Sequence, residues 1–460
     1  MFDFLRPAPH IEEIKDPGQI KETYNYWRIR VFYSMFIGYA FYYFIRKSFI
    51  FAMPSMIEDL GFTKTDLGII TSVWAVAYGL SKFVSGVIGD RSNARYFMAL
   101  GLLATGVCNI FFGLFSSIAM FIICWGANGW FQGFGWPACA RLLTHWYSQK
   151  ERGRWWALWN TSQNIGGAVI PLLTVVVAQY YGWRYAMIFP GVVSIIMAFF
   201  LMNRLTDTPA SLGLPPIERF RDDYPTKNRT EDERELTVKE ILFKYVLNNP
   251  YVWILAISYF FVYIIRMAIG NWGQLYLVES KHYSQIEAGG IIFWFECGGF
   301  FGNLASGWAS DKIFKGSRGP INVIFSATII GVLFALLSFS QTSILIDCGL
   351  IFLAGFCIYG PQMLIGMQAA EIAHKKAAAT ASGFAGWSAY LGAAVAGWPF
   401  GWITQHFGWS GFFVALAVCA IVATLLLIPL WSIRSNYDVE ARRAKKAEKE
   451  EAEPETVVAE

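Results

Sequence analysis

The chain has 460 residues, of which 55% are hydrophobic, 17% aromatic and 15% charged, with a formal net charge of +4. A soluble domain carries roughly 25% charged residues, whereas here 41 of only 70 are crowded into residues 1–30, 203–249 and 434–460. The intervening stretches cannot give a soluble globule a polar surface, so the composition excludes a soluble protein and points to an integral membrane protein. The small net charge, with no basic stripe interleaved with aromatics, likewise excludes a nucleic-acid binder.

About 20 predominantly apolar residues make one helical crossing of a bilayer. Read in chain order, residues 1–28 form a polar N-terminal segment without the apolar core of a cleaved signal peptide. Spans are predicted at 29–51, 66–89, 94–115, 117–143, 155–180 and 183–202. Residues 203–249, with 8 basic and 9 acidic side chains, read as a solvated linker carrying a short helix near Leu236–Leu247. Six more spans follow at 251–277, 286–309, 320–340, 344–369, 377–404 and 409–433, and a charged tail at 434–460. The runs lack the alternation of barrel strands. The predicted fold is therefore all-α, with twelve transmembrane helices divided between an N-terminal half (29–202) and a C-terminal half (250–433).

Basic residues set the orientation. Arg91, Arg95, Lys150, Arg152, Arg154, Lys312, Lys315, Arg318, Lys375 and Lys376 fall in the loops of one side, against Lys64, Arg184 and Lys281 on the other. That asymmetry puts both termini and the linker in the cytoplasm. The seven cysteines all lie in apolar stretches and show no metal-ligand spacing, so they read as buried thiols. No nucleophile–base arrangement, nucleotide loop or metal cluster is visible; no enzyme activity, cofactor or metal is expected.

The two halves repeat. Gly86-x3-Asp90-Arg91 recurs as Gly307-x3-Asp311-Lys312, Arg46 recurs as Arg266, and Lys150 and Gly166 recur as Lys376 and Gly392, at offsets of 220 to 226. Parallel six-helix repeats of this kind are the architecture of the major facilitator superfamily, in which substrate sits between the halves near the midplane. The glycine–acid–base element at a helix end reads as a hinge, because small residues allow close approach and the charged pair can bridge to a neighbouring helix.

An ionisable residue inside a span is expensive and therefore a functional candidate. Arg46, Lys82, Arg266 and Glu296 are the informative ones. The paired arginines have no acidic residue nearby in sequence, and two forked guanidiniums call for an external anion, most naturally a phosphoryl group. Tyr39, Tyr42, Tyr43 and Arg46 share one helical face, Tyr78 and Lys82 another, and Tyr263 precedes Arg266 by one turn. Trp159, Asn160, Gln163 and Asn164 in the fifth span, with Tyr359 and Tyr390, add amides, phenols and an indole suited to sugar hydroxyls and ring faces. Glu296 is expected to form a structural ion pair with Lys82 or Arg266; the competing role is a proton site in a cation-coupled symporter.

These residues lie in stretches that resemble the organophosphate:inorganic phosphate antiporters of that superfamily. The matching stretches are Tyr43-x2-Arg46-Lys47-Ser48-Phe49, Tyr78-Gly79-x-Ser81-Lys82-Phe83, Asp90-Arg91-Ser92-Asn93, Trp130-Phe131-Gln132-Gly133, Gln149-Lys150-Glu151-Arg152-Gly153, Asp311-Lys312-x-Phe314 and Tyr359-Gly360-Pro361-x-Met363. The resemblance covers residues 20–434. It implies that Arg46 and Arg266 bind phosphate, with Tyr39, Tyr43, Tyr78, Lys82, Trp136, Trp159, Tyr263, Tyr359 and Tyr390 lining the pocket. Gln163 stands where the glycerol-3-phosphate branch has a histidine, and Arg141-Leu142-Leu143-Thr144, Trp155–Thr161 and Gly360-Pro361-Gln362-Met363 look closest to the hexose-phosphate branch. The expectation is a monomeric glucose-6-phosphate:phosphate antiporter of a bacterial inner membrane, working by alternating access. The alternatives are a glucose-6-phosphate sensor acting through a sensor-kinase partner, and a glycerol-3-phosphate:phosphate antiporter.

Overall fold

The computed structural model describes residues 5–90, 92–222, 239–314, 316–338, 343–373 and 377–433. Its long helices are α1 (Pro17–Leu60), α2 (Lys64–Asp90), α3 (Ala94–Leu114), α4 (Ile118–Gln132), α5 (Gly135–Trp146), α6 (Gln149–Tyr181) and α7 (Trp183–Arg204) in the first half. A short helix α8 (Ile217–Arg221) and a π-helical stretch Glu240–Leu247 belong to the linker. The second half holds α9 (Pro250–Glu279), α10 (Gln285–Lys312), α11 (Gly319–Ser338), α12 (Ile344–Ile372), α13 (Ala378–Val395) and α14 (Trp398–Leu427). Among the described residues, seven helical stretches are long and apolar enough to cross a membrane on length and composition alone, the last of them running from Thr380 to Leu430 through two spans. The crossings outside that set are α1, α2, α4–α5 and α10. Three of these carry Arg46, Lys47, Lys82 and Glu296, and the fourth is broken in its middle.

Two sequence boundaries move. The predicted span 117–143 divides at Gly133–Phe134, where α4 ends and α5 begins. The freed carbonyls at this break are not left bare: Ser81 Oγ donates to Trp130 O at 2.5 Å and Ser85 Oγ to Gly133 O at 2.8 Å. The predicted span 377–404 likewise divides at Ala396–Gly397, between α13 and the first part of α14. The boundary between the eleventh and twelfth spans falls at Gly408, whose φ of 66° and ψ of −169° interrupt α14. Gly182, between α6 and α7, adopts φ 84° and ψ 164°. Each is followed by a tryptophan (Trp183, Trp409), and the two glycines occupy equivalent places in the repeat. A side chain is disfavoured at that positive φ.

Packing follows the duplication. Helices α1 with α6, α2 with α4 and α3 with α7 pair in the first half; α9 with α13, α10 with α12 and α11 with α14 pair in the second. The closest approaches repeat in detail. A Cβ on Gly166 would run into Ala40 O, and one on Gly392 into Phe260 O; Gly129 faces Trp74 O as Gly355 faces Phe295 O. The halves meet through α1–α9, α2–α13, α2–α14 and α6–α10.

The first part of the linker is packed, where a solvated segment was expected. Residues 205–221 and the N-terminal arm dock on the first half, with Leu5, Leu205, Leu214 and Ile217 buried. Asp207 organises this joint: its carboxylate accepts from Ala8 N (3.2 Å), Ala94 N (3.0 Å) and Arg141 Nε (3.1 Å), while its carbonyl accepts from Trp146 Nε1. A polar-rich segment docks here because one buried carboxylate collects several donors and three aliphatic side chains cover the helix ends. Residues 223–238, including Leu236, and the tail 434–460 lie outside the described residues.

Candidate functional site

A cavity of about 490 Å³ lies between the halves. Its walls include Tyr39, Tyr43 and Arg46 from α1, Tyr78 and Lys82 from α2, Trp136 from α5, Asn160 and Gln163 from α6, Tyr263 and Arg266 from α9 and Tyr390 from α13. It extends past Met367, Ala370 and Ser382 toward the α12–α13 turn, the side of the basic loops. At the other end the halves are sealed. Ser72 Oγ donates to Ala394 O (2.6 Å) and accepts from Trp398 N (2.7 Å), and Lys64 Nζ pairs with Glu279 Oε2 at 2.7 Å. Lys64 N also donates to Gln405 Oε1, and Gln285 Nε2 to Ser55 Oγ.

Arg46 and Arg266 stand where the cavity meets a small chamber of about 40 Å³ below the seal; both line both spaces. Neither guanidinium forms an ion pair among the described residues; each is held by aromatic rings. Arg46 Cζ lies 4.4 Å from the Trp74 ring centre, 4.9 Å from Tyr78 and 5.3 Å from Tyr43. Arg266 Cζ lies 4.7 Å from the Tyr359 ring and 5.5 Å from Tyr263, and its Nη2 donates to Tyr359 Oη at 3.4 Å. Ring faces attract a cation without neutralising it, so both guanidiniums keep charge and fork to offer an anion.

Trp74 was not singled out by sequence reasoning, although Trp74, Tyr78 and Lys82 recur every four residues along one face of α2. A buried amide chain fixes it: Trp74 Nε1 donates to Asn128 Oδ1, Asn128 Nδ2 to Asn109 Oδ1 and Asn109 Nδ2 to Ser48 Oγ, all at 3.0–3.1 Å. Lys82 Nζ lies 5.0 Å from the Trp136 ring and 5.2 Å from Tyr390, inside the cavity. Tyr43 Oη donates to Gln163 Oε1 at 3.0 Å, so that glutamine holds a tyrosine and keeps its NH₂ for the cavity.

Three expectations are corrected. Glu296 pairs with neither Lys82 nor Arg266: its Oε1 meets Lys47 Nζ at 3.3 Å and its Oε2 accepts from Tyr359 Oη at 2.6 Å. Lys47 follows Arg46 by one residue, about 100° around the helix, and so faces the chamber below the seal. Tyr359 lines that chamber as well, not the main cavity, and links Arg266 to Glu296. Trp159 is fully buried, packed on Tyr39 (4.7 Å), Trp136 (5.1 Å) and Trp156 (5.9 Å), and backs the cavity wall without lining it. As for the hinge element, Lys312 is exposed at the end of α10, while Arg91 and the side chains of Asp90 and Asp311 lie outside the described residues. The cavity also recruits residues that sequence reasoning missed, among them Tyr259, Asn303 and Ser382, together with Gln362 from the Gly360–Met363 stretch.

Residues 35–397 match the Major Facilitator Superfamily. A probable hexose phosphate transport protein of Chlamydia pneumoniae is 56% identical over 442 residues, 93% of this chain and 96% of the relative. The membrane sensor protein UhpC of Salmonella typhimurium is 46% identical over 429 residues, 93% of this chain and 97% of the relative. Among solved structures, a bacterial homologue of the human lysosomal transporter Spinster, in an inward-facing and unoccupied conformation, superposes with a TM-score of 0.68 at 14% identity, covering 88% of this chain and 96% of that one, a likeness of fold. The chain belongs to the major facilitator superfamily and, within it, to the organophosphate:inorganic phosphate antiporter family on its hexose-phosphate branch, a family of membrane transport proteins and not of enzymes.

Proposed function

We propose that this protein exchanges a hexose 6-phosphate, glucose 6-phosphate first among them, for inorganic phosphate across a bacterial inner membrane. Both termini lie on the cytoplasmic side, and a single chain is the working unit. The observation that carries the reading is the arginine pair: symmetry-equivalent guanidiniums at the head of one cavity, without a carboxylate partner among the described residues. The phosphoryl group sits between Arg46 and Arg266, Lys82 adds charge, and the sugar lies in the wider part of the cavity among Asn160, Gln163 and the tyrosines. With the seal made by Ser72, Lys64 and Glu279, the geometry corresponds to a carrier open to the cytoplasm. Rocking of the halves would break that seal and close the basic-loop side, with the hinge at Asp90-Arg91 and Asp311-Lys312.

A second reading, a sensor of external glucose 6-phosphate acting through a sensor-kinase partner, is favoured by the 46% identity to a protein named as a membrane sensor. Proteoliposomes decide between them. Vesicles loaded with phosphate should take up labelled glucose 6-phosphate in preference to glycerol 3-phosphate, with release of internal phosphate. Tight binding of glucose 6-phosphate without uptake would establish the sensor, and equal uptake of the two sugar phosphates would remove the hexose assignment.

A further inference from the structure

The repeat that pairs Arg46 with Arg266 also pairs other wall residues of the cavity, and there the halves diverge. At an offset of 221, Lys82 of α2 corresponds to Asn303 of α10; at an offset of 226, Trp136 of α5 corresponds to Gln362 of α12. The same registers match Trp74–Gly129 with Phe295–Gly355 at equivalent helix contacts, so the correspondence is structural as well as numerical. In the first half, the ammonium of Lys82 rests over the Trp136 ring. In the second half, the matching place holds two neutral carboxamides.

Asn303 and Gln362 both line the cavity, and their Oδ1 and Oε1, shielded from solvent in this conformation, have no hydrogen-bond partner among the described residues. A buried acceptor left without a donor is destabilising. Neutral amide oxygens are a poor match for a phosphate, whose oxygens are themselves acceptors. They suit O–H donors, which a sugar supplies and inorganic phosphate lacks beyond its own acidic protons. Gln163, the amide opposite, already accepts the Tyr43 hydroxyl on its oxygen and has its NH₂ left to donate. The two amides therefore share the second half with Arg266, across the cavity from Arg46 and Lys82 of the first half.

We propose that Asn303 and Gln362 form the hydroxyl-reading wall of the sugar subsite, accepting hydrogen bonds from the ring hydroxyls of the bound hexose phosphate and so setting its preference over smaller phosphate compounds. This rests on the proposed anion site at Arg46 and Arg266 and adds the residues that discriminate among its ligands. A site built to hydrogen-bond a hydroxyl discriminates strongly against an analogue that lacks it, because its polar groups are then left unpaired.

The test is equilibrium binding to the purified full chain in detergent, which needs no transport and serves carrier and sensor alike. Inorganic phosphate, glycerol 3-phosphate and glucose 6-phosphate are titrated against the unsubstituted protein, Asn303→Leu, Gln362→Leu and the milder Asn303→Ser and Gln362→Glu. The ratio of affinities, glucose 6-phosphate over phosphate, should fall roughly 3- to 10-fold in each leucine variant, as expected for one or two lost hydrogen bonds. Serine, which can still accept, should recover part of the loss at position 303. Glutamate keeps the acceptors of Gln362 but adds charge, so it should weaken all three anions together. An unchanged ratio in well-folded leucine variants, or an equal loss for phosphate and hexose phosphate, overturns the subsite. Failure of the unsubstituted protein to bind phosphate at all overturns the two-arginine site, and this wall with it.

Discussion

A carboxylate inside a membrane is tolerable when its partners are close and numerous, and Glu296 has Lys47 on one oxygen and the Tyr359 hydroxyl on the other. The side chains of Lys47 and Glu296 are only 15% and 6% exposed, so neither charge can turn to water if the other is removed. Breaking one partner of such a pair costs about 3–5 kcal/mol, whereas replacing both with apolar side chains is often neutral. Glu296→Gln and Lys47→Met should therefore each lower the melting temperature in detergent, and the double substitution Lys47→Met with Glu296→Leu should recover most of the loss. A double variant as unstable as the sum of the singles would show that the two do not act as a pair. Arg46, Lys82, Arg266 and Glu296 could be read from sequence because the bilayer makes each such charge costly, whereas Lys47 was missed. Their partners could not, because pairing depends on how each helix is rotated: Arg46 and Lys47 are neighbours in the chain yet face different spaces. The same limit applies to Trp159, whose spacing from Gln163 is right for a shared face but whose ring is taken up by packing against Tyr39 and Trp136.

Helix contacts in a membrane protein lack a large hydrophobic drive, so close approach through small residues does more of the holding. Gly166 against Ala40 O and Gly392 against Phe260 O are such contacts, repeated in the two halves. Adding a methyl at either forces a backbone to move, with a cost of about 1–3 kcal/mol for overpacking. Gly166→Ala and Gly392→Ala should both reduce the yield of folded protein and its thermal midpoint, measured by fluorescence-detected gel filtration. Gly331→Ala, where a Cβ meets nothing within 4 Å, should leave both unchanged. The glycine pair was visible in the sequence as one of several matches at near-constant offset, and the twelve-span organisation was visible in apolar runs. The break at Gly133 was hidden, since a predominantly apolar stretch of 27 residues reads as one continuous crossing and its stabilising bonds come from Ser81 and Ser85 on another helix. The docking of residues 205–221 was hidden for a similar reason: Asp207 reads as one more linker charge until Arg141, Ala8 and Ala94 converge on it.

Among the described residues one face is sealed, the other is open and two guanidiniums without a carboxylate partner lie between them, and this combination bears on why the proposed carrier would exchange and not leak. To alternate, the halves must pass through a state in which the cavity is shut on both sides. With the site empty, closing the basic-loop side strips water from Arg46 and Arg266, and dehydrating each costs several kcal/mol even after relaxation. Every additional 1.4 kcal/mol or so in that barrier slows the step about tenfold, so empty turnover should be slower by orders of magnitude. Inorganic phosphate or a phosphate monoester brings up to two negative charges and several acceptor oxygens, which offset that cost and favour the occluded state over the open ones. A ligand shifts a conformational equilibrium only by such a differential interaction. On the proposed mechanism each return stroke then needs an anion, and exchange would be obligatory. Arg46→Lys retains the charge but loses the planar fork, so it should abolish or strongly weaken exchange; Arg266→Gln should do the same with the protein still inserted and monodisperse. The measurement is uptake of labelled glucose 6-phosphate into phosphate-loaded and empty vesicles, side by side. Loaded vesicles should fill rapidly and empty ones barely at all. Rapid filling of empty vesicles, or near-normal exchange by Arg266→Gln, would mean that the arginine pair is not the barrier to empty return.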